Sequence, residues 1–424
     1  MRISLCCTAV FVYVVIGHPQ PAVAQVDQQL AQQYFREAQT LCERDGGRLW
    51  GVSLCGPMVI ADAATGTFAT SQPAPDGERP RELGFVNAPV QWSGITWSAY
   101  IWQMIPKDDQ AERGRLFMHE LFHCIQPRLG LIATPDPSAG ENSHLDSLEG
   151  RYWMRLEWRA LARALGTSGA ARTSAIADAL AFRAARHQRF PGAAAAEHVV
   201  DINEGIATYT QYVTGSEDAQ DAIRHAMVTL AGSEASTSFV RTFAYASGAG
   251  YGLLLDALSP GWHRKITGAS DFGQLLSAVA GVTAAPDAAA AAAAARYDGA
   301  SLRAAEEQRD RDQQVIIAAL RRRYVDGPVL IVPRAGRGSI NNMGATVIPG
   351  AGTVFRAMAN KGAWGFFDAQ GGALVSADGE TISLPAPVVV DATTLKGDGW
   401  TATVGPGWTV QPGPRPGSFR VVRQ

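Results

Sequence analysis

Net charge is almost absent from this chain. Its 424 residues carry 37 basic and 39 acidic side chains, for a formal net charge of −2. Such a balance leaves no electrostatic footprint for nucleic acid or for an anionic membrane. Past the N-terminus, no segment is apolar for long enough to span a bilayer. Nucleotide-loop glycines are missing as well. Gly248, Gly250 and Gly252 fail the dinucleotide spacing, and no strand–helix–strand context precedes them. Cysteine is sparse, at five residues. Cys6 and Cys7 follow Leu5 rather than a small residue, which argues against lipid attachment. What remains is an ordinary composition, 46% hydrophobic, with length for a sizeable core and two or three domains.

The first 24 residues read as a secretory leader. Arg2 supplies the positive start, residues 3–16 form an apolar run, and Ala22-Val23-Ala24 is a small-x-small cleavage site before Gln25. Export to a periplasm or to the outside is expected, with cleavage after Ala24. Three cysteines then remain, and an oxidising compartment permits a bridge. Cys42 and Cys55 are the favoured pair. Cys124 is left as a small buried hydrophobe.

The most informative stretch is His119-Glu120-Leu121-Phe122-His123, an instance of H-E-x-x-H. On a helix, positions i and i+4 lie one above the other. His119 and His123 then present two imidazoles to one Zn²⁺, and Glu120 sits beside them as a general base. Pro106 and Asp108-Asp109 give a helix start, and Pro127 a stop. Phe117, Leu121 and Cys124 share one side, as a core-facing stripe requires. The plainer alternative is a buried helix whose histidines are satisfied polar groups.

A catalytic zinc needs a third protein ligand and an open position. His144, Glu149 and Glu157 lie on or beside a helix expected from about residue 144 to 165. The charges on that helix are more simply a solvated face or internal ion pairs. The other source is Asn203-Glu204-Gly205-Ile206-Ala207-Thr208-Tyr209. This run resembles the third-ligand segment of the gluzincin metallopeptidases, the superfamily of thermolysin and the aminopeptidase-N-like enzymes. By that resemblance Glu204 completes the ligand set; otherwise it is a surface carboxylate on an amphipathic helix. Tyr245-Ala246-Ser247-Gly248-Ala249 resembles the segment in which those enzymes place a tyrosine hydroxyl against the oxyanion. Tyr245 takes that role by the match, or is a core aromatic with a bonded hydroxyl.

The three motifs occur in order across about residues 90–260. There are departures. Far more chain separates His123 from Glu204 than in the aminopeptidase-N-like enzymes, and the excess reads as an inserted helical hairpin at 134–195. Ser247 stands where a lysine is usual, and Gln211 where a glutamate is. No G-x-M-E-N run, which holds a substrate's free amino group there, is present. Leu129 occupies the position six beyond His123, and no third histidine follows, which excludes a metzincin. In such peptidases a sheet precedes the zinc helix and its edge strand holds an extended substrate. Residues 94–102 sit in the place for that role, or form an ordinary strand.

Around these motifs, residues 26–44 and 174–187 read as helices and 48–105 as short strands and turns. The stretch 261–325 is helical in character, with an alanine-rich segment at 284–295 and a charged helix at 301–324. From Asp326 the composition turns to glycine, proline, valine and threonine, with short strands. Trp364, Phe366, Trp400 and Trp408 there build a core or line a binding face.

The expected fold is α+β. An N-terminal β-rich part leads into a mainly helical gluzincin-like catalytic domain at 25–325, followed by a small all-β sandwich or barrel at 326–424. The expected activity is hydrolysis of a peptide or protein substrate by an exported zinc peptidase. His119, His123 and Glu204 are its ligands, Glu120 its base and Tyr245 its oxyanion donor. No nucleic acid partner and no membrane span are expected. Two alternatives are an inactive zinc-binding or interaction protein on the same scaffold, and a zinc hydrolase acting on a non-peptide amide or ester.

Overall fold

A computed structural model describes residues 25–134, 142–283, 287–340, 345–390 and 393–424. The expected leader lies outside them. Helices and three sheets make the chain a mixed α+β protein. It divides into two compact units. One comprises residues up to Gly140, Glu157–Glu234 and Arg241–Ala285; the other comprises Glu141–Leu156, Ala235–Val240 and Pro286–Gln424.

In the first unit the elements run α1 (Gln28–Asp45), β1 (Met58–Ala61), β2 (Phe68–Thr70), β3 (Ala88–Trp92), β4 (Ile95–Ile101) and α2 (Gln110–Ile125). Then come α3 (Leu148–Leu165, at whose middle the two units divide), α4 (Gly169–Arg189), α5 (Ala193–Val200), α6 (Ile206–Gly215), α7 (Ala219–Ser233), α8 (Phe243–Leu258) and α9 (Phe272–Ala280). The Cys42–Cys55 disulfide is present and ties α1 to the segment entering β1.

The sheet order is β2-β1-β4-β3. This corrects the expectation for residues 94–102. β4 pairs with β1 in parallel and with β3 antiparallel, so both its edges are used. Its place before the zinc helix suggested an edge strand, but Trp97, Ser98, Ala99 and Tyr100 are all buried. β2 and β3 are the free edges. The Tyr100 hydroxyl donates to the Phe117 carbonyl and so fastens β4 to α2.

α2 forms where its signals place it. The Asp109 side chain caps the helix by accepting from the Glu112 N–H, and Pro127 diverts the chain into a 3₁₀ turn over Gln126–Leu129. Phe117, Met118, Leu121, Phe122 and Ile125 are buried, and α2 packs on α6. α6 also packs against α8. There glycine is a requirement: a Cβ on Gly248 would stand 2.3 Å from the Gly205 Cα and carbonyl oxygen. The glycines of the two motifs after H-E-x-x-H thus exist for one backbone-to-backbone crossing.

The 134–195 stretch holds α3, α4 and the start of α5. α4 is half of a buried charge network. Arg186 bonds Glu157 and Glu197, and Arg183 bonds Asp201 and approaches Asp271. Two guanidiniums therefore face four carboxylates. Burial pushes the Asp201 carboxyl up to about 7 despite the pull of Arg183.

The second unit gathers more of the chain than residues 326–424, taking in Glu141–Leu156, Ala235–Val240 and Pro286–Gln424. It contains α10 (Asp287–Ala293) and α11 (Gly299–Arg321). Its strands are β5 (Val329–Pro333), β6 (Arg337–Ile340), β7 (Thr346–Ile348), β8 (Gly352–Phe355), β9 (Met358–Gly362), β10 (Gly365–Ala369) and β11 (Ala373–Ser376). β12 (Thr381–Pro385), β13 (Val389–Val390), β14 (Thr394–Gly397), β15 (Trp400–Val404), β16 (Trp408–Pro412) and β17 (Phe419–Arg423) complete it. They form a six-stranded sheet, β13-β14-β15-β10-β9-β6, and a seven-stranded one, β16-β17-β5-β12-β11-β8-β7. Both contribute to one core, with Leu330, Ile382 and Val375 from one sheet and Phe367, Leu395 and Trp400 from the other. α11 belongs with these sheets because Ile317 and Leu320 pack beside Tyr324, Ile348, Val354 and Leu374. Trp364 and Trp400 are core residues, Trp408 is partly buried against them, and Phe366 is exposed.

Candidate metal centre

His119 and His123 project from adjacent turns of α2, with their Nε2 atoms 3.0 Å apart. Glu204 arrives from a different element. Between α5 and α6 the helix widens into a π turn, Asp201–Gly205, closed by the Ile206 N–H to the Asp201 carbonyl. Such single π turns recur at functional sites. This one brings Glu204 Oε2 to 3.4 Å from His119 Nε2 and 3.5 Å from His123 Nε2. One ligand atom from each of the three residues lies within 4.8 Å of the others. Among the described residues no other group of this kind occurs.

The outer nitrogens of both rings are engaged. His119 Nδ1 lies 2.8 Å from Gln211 Oε1, and His123 Nδ1 lies 2.7 Å from Gln126 Oε1. Gln211 is thus the partner of a candidate ligand, at the position where a glutamate was the comparison. Gln126 was not singled out in the sequence. Its signal was spacing: residues 119, 123 and 126 repeat at i, i+4 and i+7 and share one helix face.

Glu120 is 6% exposed, and its Oε2 atom is buried with no hydrogen-bond partner among the described residues. Burial raises its pKa, against the pull of the two histidines. Burial would also raise Glu204, but the adjacent His119 and His123 side chains hold its carboxyl well below the usual carboxylate range. Tyr245 is half-buried near the first turn of α8, its ring stacked on His119 at 5.7 Å and 17°. Burial and then the Glu204 carboxylate push its hydroxyl upward, so it stays protonated and remains a donor.

The remaining candidates are placed elsewhere. Glu157 is fully buried and bonded to Arg186 and to the Tyr251 hydroxyl. Glu149 accepts from Trp153 and Arg303. His144 is not part of the cluster. Cys124 is half-buried, its Sγ donating to the Glu120 carbonyl, and burial pushes its thiol up to about 12. Tyr209 of the N-E-G-I-A-T-Y run is buried and donates to Asp256.

Two imidazole nitrogens and a carboxylate oxygen are a donor set suited to a divalent transition metal, with room in a tetrahedral shell for one further ligand. The residues fit such an ion on two counts. Three basic atoms face one another at one point, and an unpartnered buried carboxylate oxygen lies on the residue between the two histidines.

Comparison of the chain with family models, with curated proteins and with solved structures finds no match.

Proposed function

We propose that the chain is a zinc-dependent peptidase of gluzincin type, exported, with its centre at His119, His123 and Glu204. One observation carries this reading: a carboxylate 81 positions after the second histidine converges with the H-E-x-x-H pair within 4.8 Å. In support stand the orphaned Glu120 oxygen and the Tyr245 ring stacked on His119. The Cys42–Cys55 bridge supports an oxidising compartment. No helix among the described residues is long and apolar enough to cross a membrane.

Zn²⁺ held by these residues would supply Lewis acidity, acidifying a water and polarising a scissile carbonyl. Glu120 takes the proton of the attacking water, a task that suits a carboxylate raised by burial, and returns it to the leaving nitrogen. Tyr245 donates from its protonated hydroxyl to the carbonyl oxygen as charge develops there. Gln211 and Gln126 orient the two imidazoles.

The test is a peptide-library digest read by mass spectrometry, with metal analysis of the same samples. Wild type is expected to cleave and to hold zinc. Glu120→Gln is expected to hold zinc and to lose ~10²–10⁴-fold in kcat. Zinc-loaded wild type that cleaves no peptide would overturn the peptidase reading, and equal turnover by Glu120→Gln would overturn the role of that residue.

A further inference from the structure

We infer that Gln126 is a positioning residue of this centre: it fixes the tautomer of His123 and brackets α2 to the turn that carries Glu204. The inference rests on the metal-centre reading above. Gln126 is 1% exposed, at the start of the 3₁₀ turn that ends α2. Its Nε2 lies 2.9, 3.0 and 3.1 Å from the carbonyl oxygens of Leu131, Ile202 and Asn203. Only an amide NH₂ can face three carbonyl oxygens, so the orientation of the carboxamide is determined by the surrounding backbone. Its oxygen must then face His123 Nδ1, at 2.7 Å. An oxygen there accepts, so the imidazole carries a proton on Nδ1, which leaves Nε2, on the side of His119 and Glu204, as the nitrogen that can bind a metal.

The same side chain joins two segments around the ligands. Ile202 and Asn203 directly precede Glu204 in the π turn. Asn203 in turn clamps Ala133, accepting from its N–H and donating to its carbonyl, both at 3.0 Å. Gln126 therefore sets the ring of one ligand and the backbone approach of another. It touches no reacting atom.

The experiment uses the full mature chain and Gln126→Met, which keeps the length of the side chain and removes its acceptor and donors. Zinc affinity is measured by chelator competition. The imidazole N–H groups are read by NMR on zinc-loaded protein labelled with ¹⁵N-histidine. In wild type, His123 is expected to be protonated on Nδ1 and metal-bound through Nε2, with a slowly exchanging N–H. In Gln126→Met that N–H is expected to exchange rapidly and the zinc Kd to rise ~10–100-fold, while the His119 N–H is retained. A merely structural glutamine would lower stability without moving the His123 signal selectively. Unchanged Kd and unchanged N–H exchange in Gln126→Met would overturn the inference alone. Wild type that takes up no zinc would overturn the centre itself, and the inference with it. Should Gln126→Met fail to fold, the wild-type spectrum decides: His123 bound to zinc through Nδ1 would refute the assignment.

Discussion

Replacing Gly248 with alanine tests the crossing that brings Glu204 and Tyr245 together. The added Cβ would meet the Gly205 Cα and carbonyl oxygen at 2.3 Å. Ordinary carbon contacts are ~3.5–4.0 Å, so α8 and the π turn must separate by about an ångström. Overpacking of this kind costs about 1–3 kcal/mol, and the upper end applies because both struck atoms are backbone. Alanine returns about 1 kcal/mol of helix preference, leaving a net loss of about 2 kcal/mol. Two other glycines calibrate the result. At Gly205 the nearest atoms are 3.2 Å away, the Gly248 Cα and an edge atom of Phe272, so Gly205→Ala is expected to cost less. Gly232, exposed near the end of α7, has nothing within 4 Å, and Gly232→Ala is expected to stabilise by about 0.5–1 kcal/mol. Denaturant unfolding of the three variants, followed by chelator competition for zinc, reads both consequences. Gly248→Ala as stable as Gly232→Ala, with wild-type zinc affinity, would refute the packing argument.

Tyr245→Phe is expected to leave KM near wild type and to lower kcat by ~10²–10³-fold in steady-state kinetics, because only the oxyanion donor is lost. Glu157→Ala leaves Arg186 and Tyr251 short of a buried partner and is expected to cost about 3–5 kcal/mol in unfolding experiments; Glu149→Ala, which removes a partly exposed pair with Arg303 and the acceptor of the Trp153 N–H, is expected to cost less, about 1–2 kcal/mol. Folded protein of either variant should still bind zinc. Reduction of Cys42–Cys55, or replacement of both residues by serine, opens a loop with a sequence separation of 13 and is expected to lower stability by about 3 kcal/mol in a thermal or denaturant melt. Asp201, raised to about 7 in the folded state against about 3.9 unfolded, binds extra protons on folding. Stability from this group therefore falls as pH rises from about 4 to about 7, and Asp201→Asn should flatten that part of the unfolding-versus-pH curve.

The parts of the chain governed by local chemistry were legible in the sequence. α2 begins at an aspartate cap and ends before a proline, and both signals sit beside the residues they control. His119 and His123 meet because helix geometry alone makes i and i+4 neighbours. The Cys42–Cys55 pairing followed from proximity and from having few alternatives. Non-local pairing was less visible. Residues 94–102 looked like an edge strand because nothing in them announces the parallel partnership with β1. α11 looked like part of the helical region, yet Ile317 and Leu320 find their apolar surface on the strands that follow. The arginines of α4 gave no sign of their role, because the acids that pair with Arg186 lie on α3 and α5 and are buried with it. Gln126 carried only its spacing, because its importance depends on three carbonyls supplied by other segments.

The most direct measurement is zinc stoichiometry at equilibrium in chelator-buffered metal, comparing wild type with Glu204→Ala. About one zinc per chain in wild type, and loss of that tight site in Glu204→Ala with the fold retained, is the predicted result. A full complement of tightly held zinc in Glu204→Ala, or none in wild type, would contradict the convergence of His119, His123 and Glu204 on one ion.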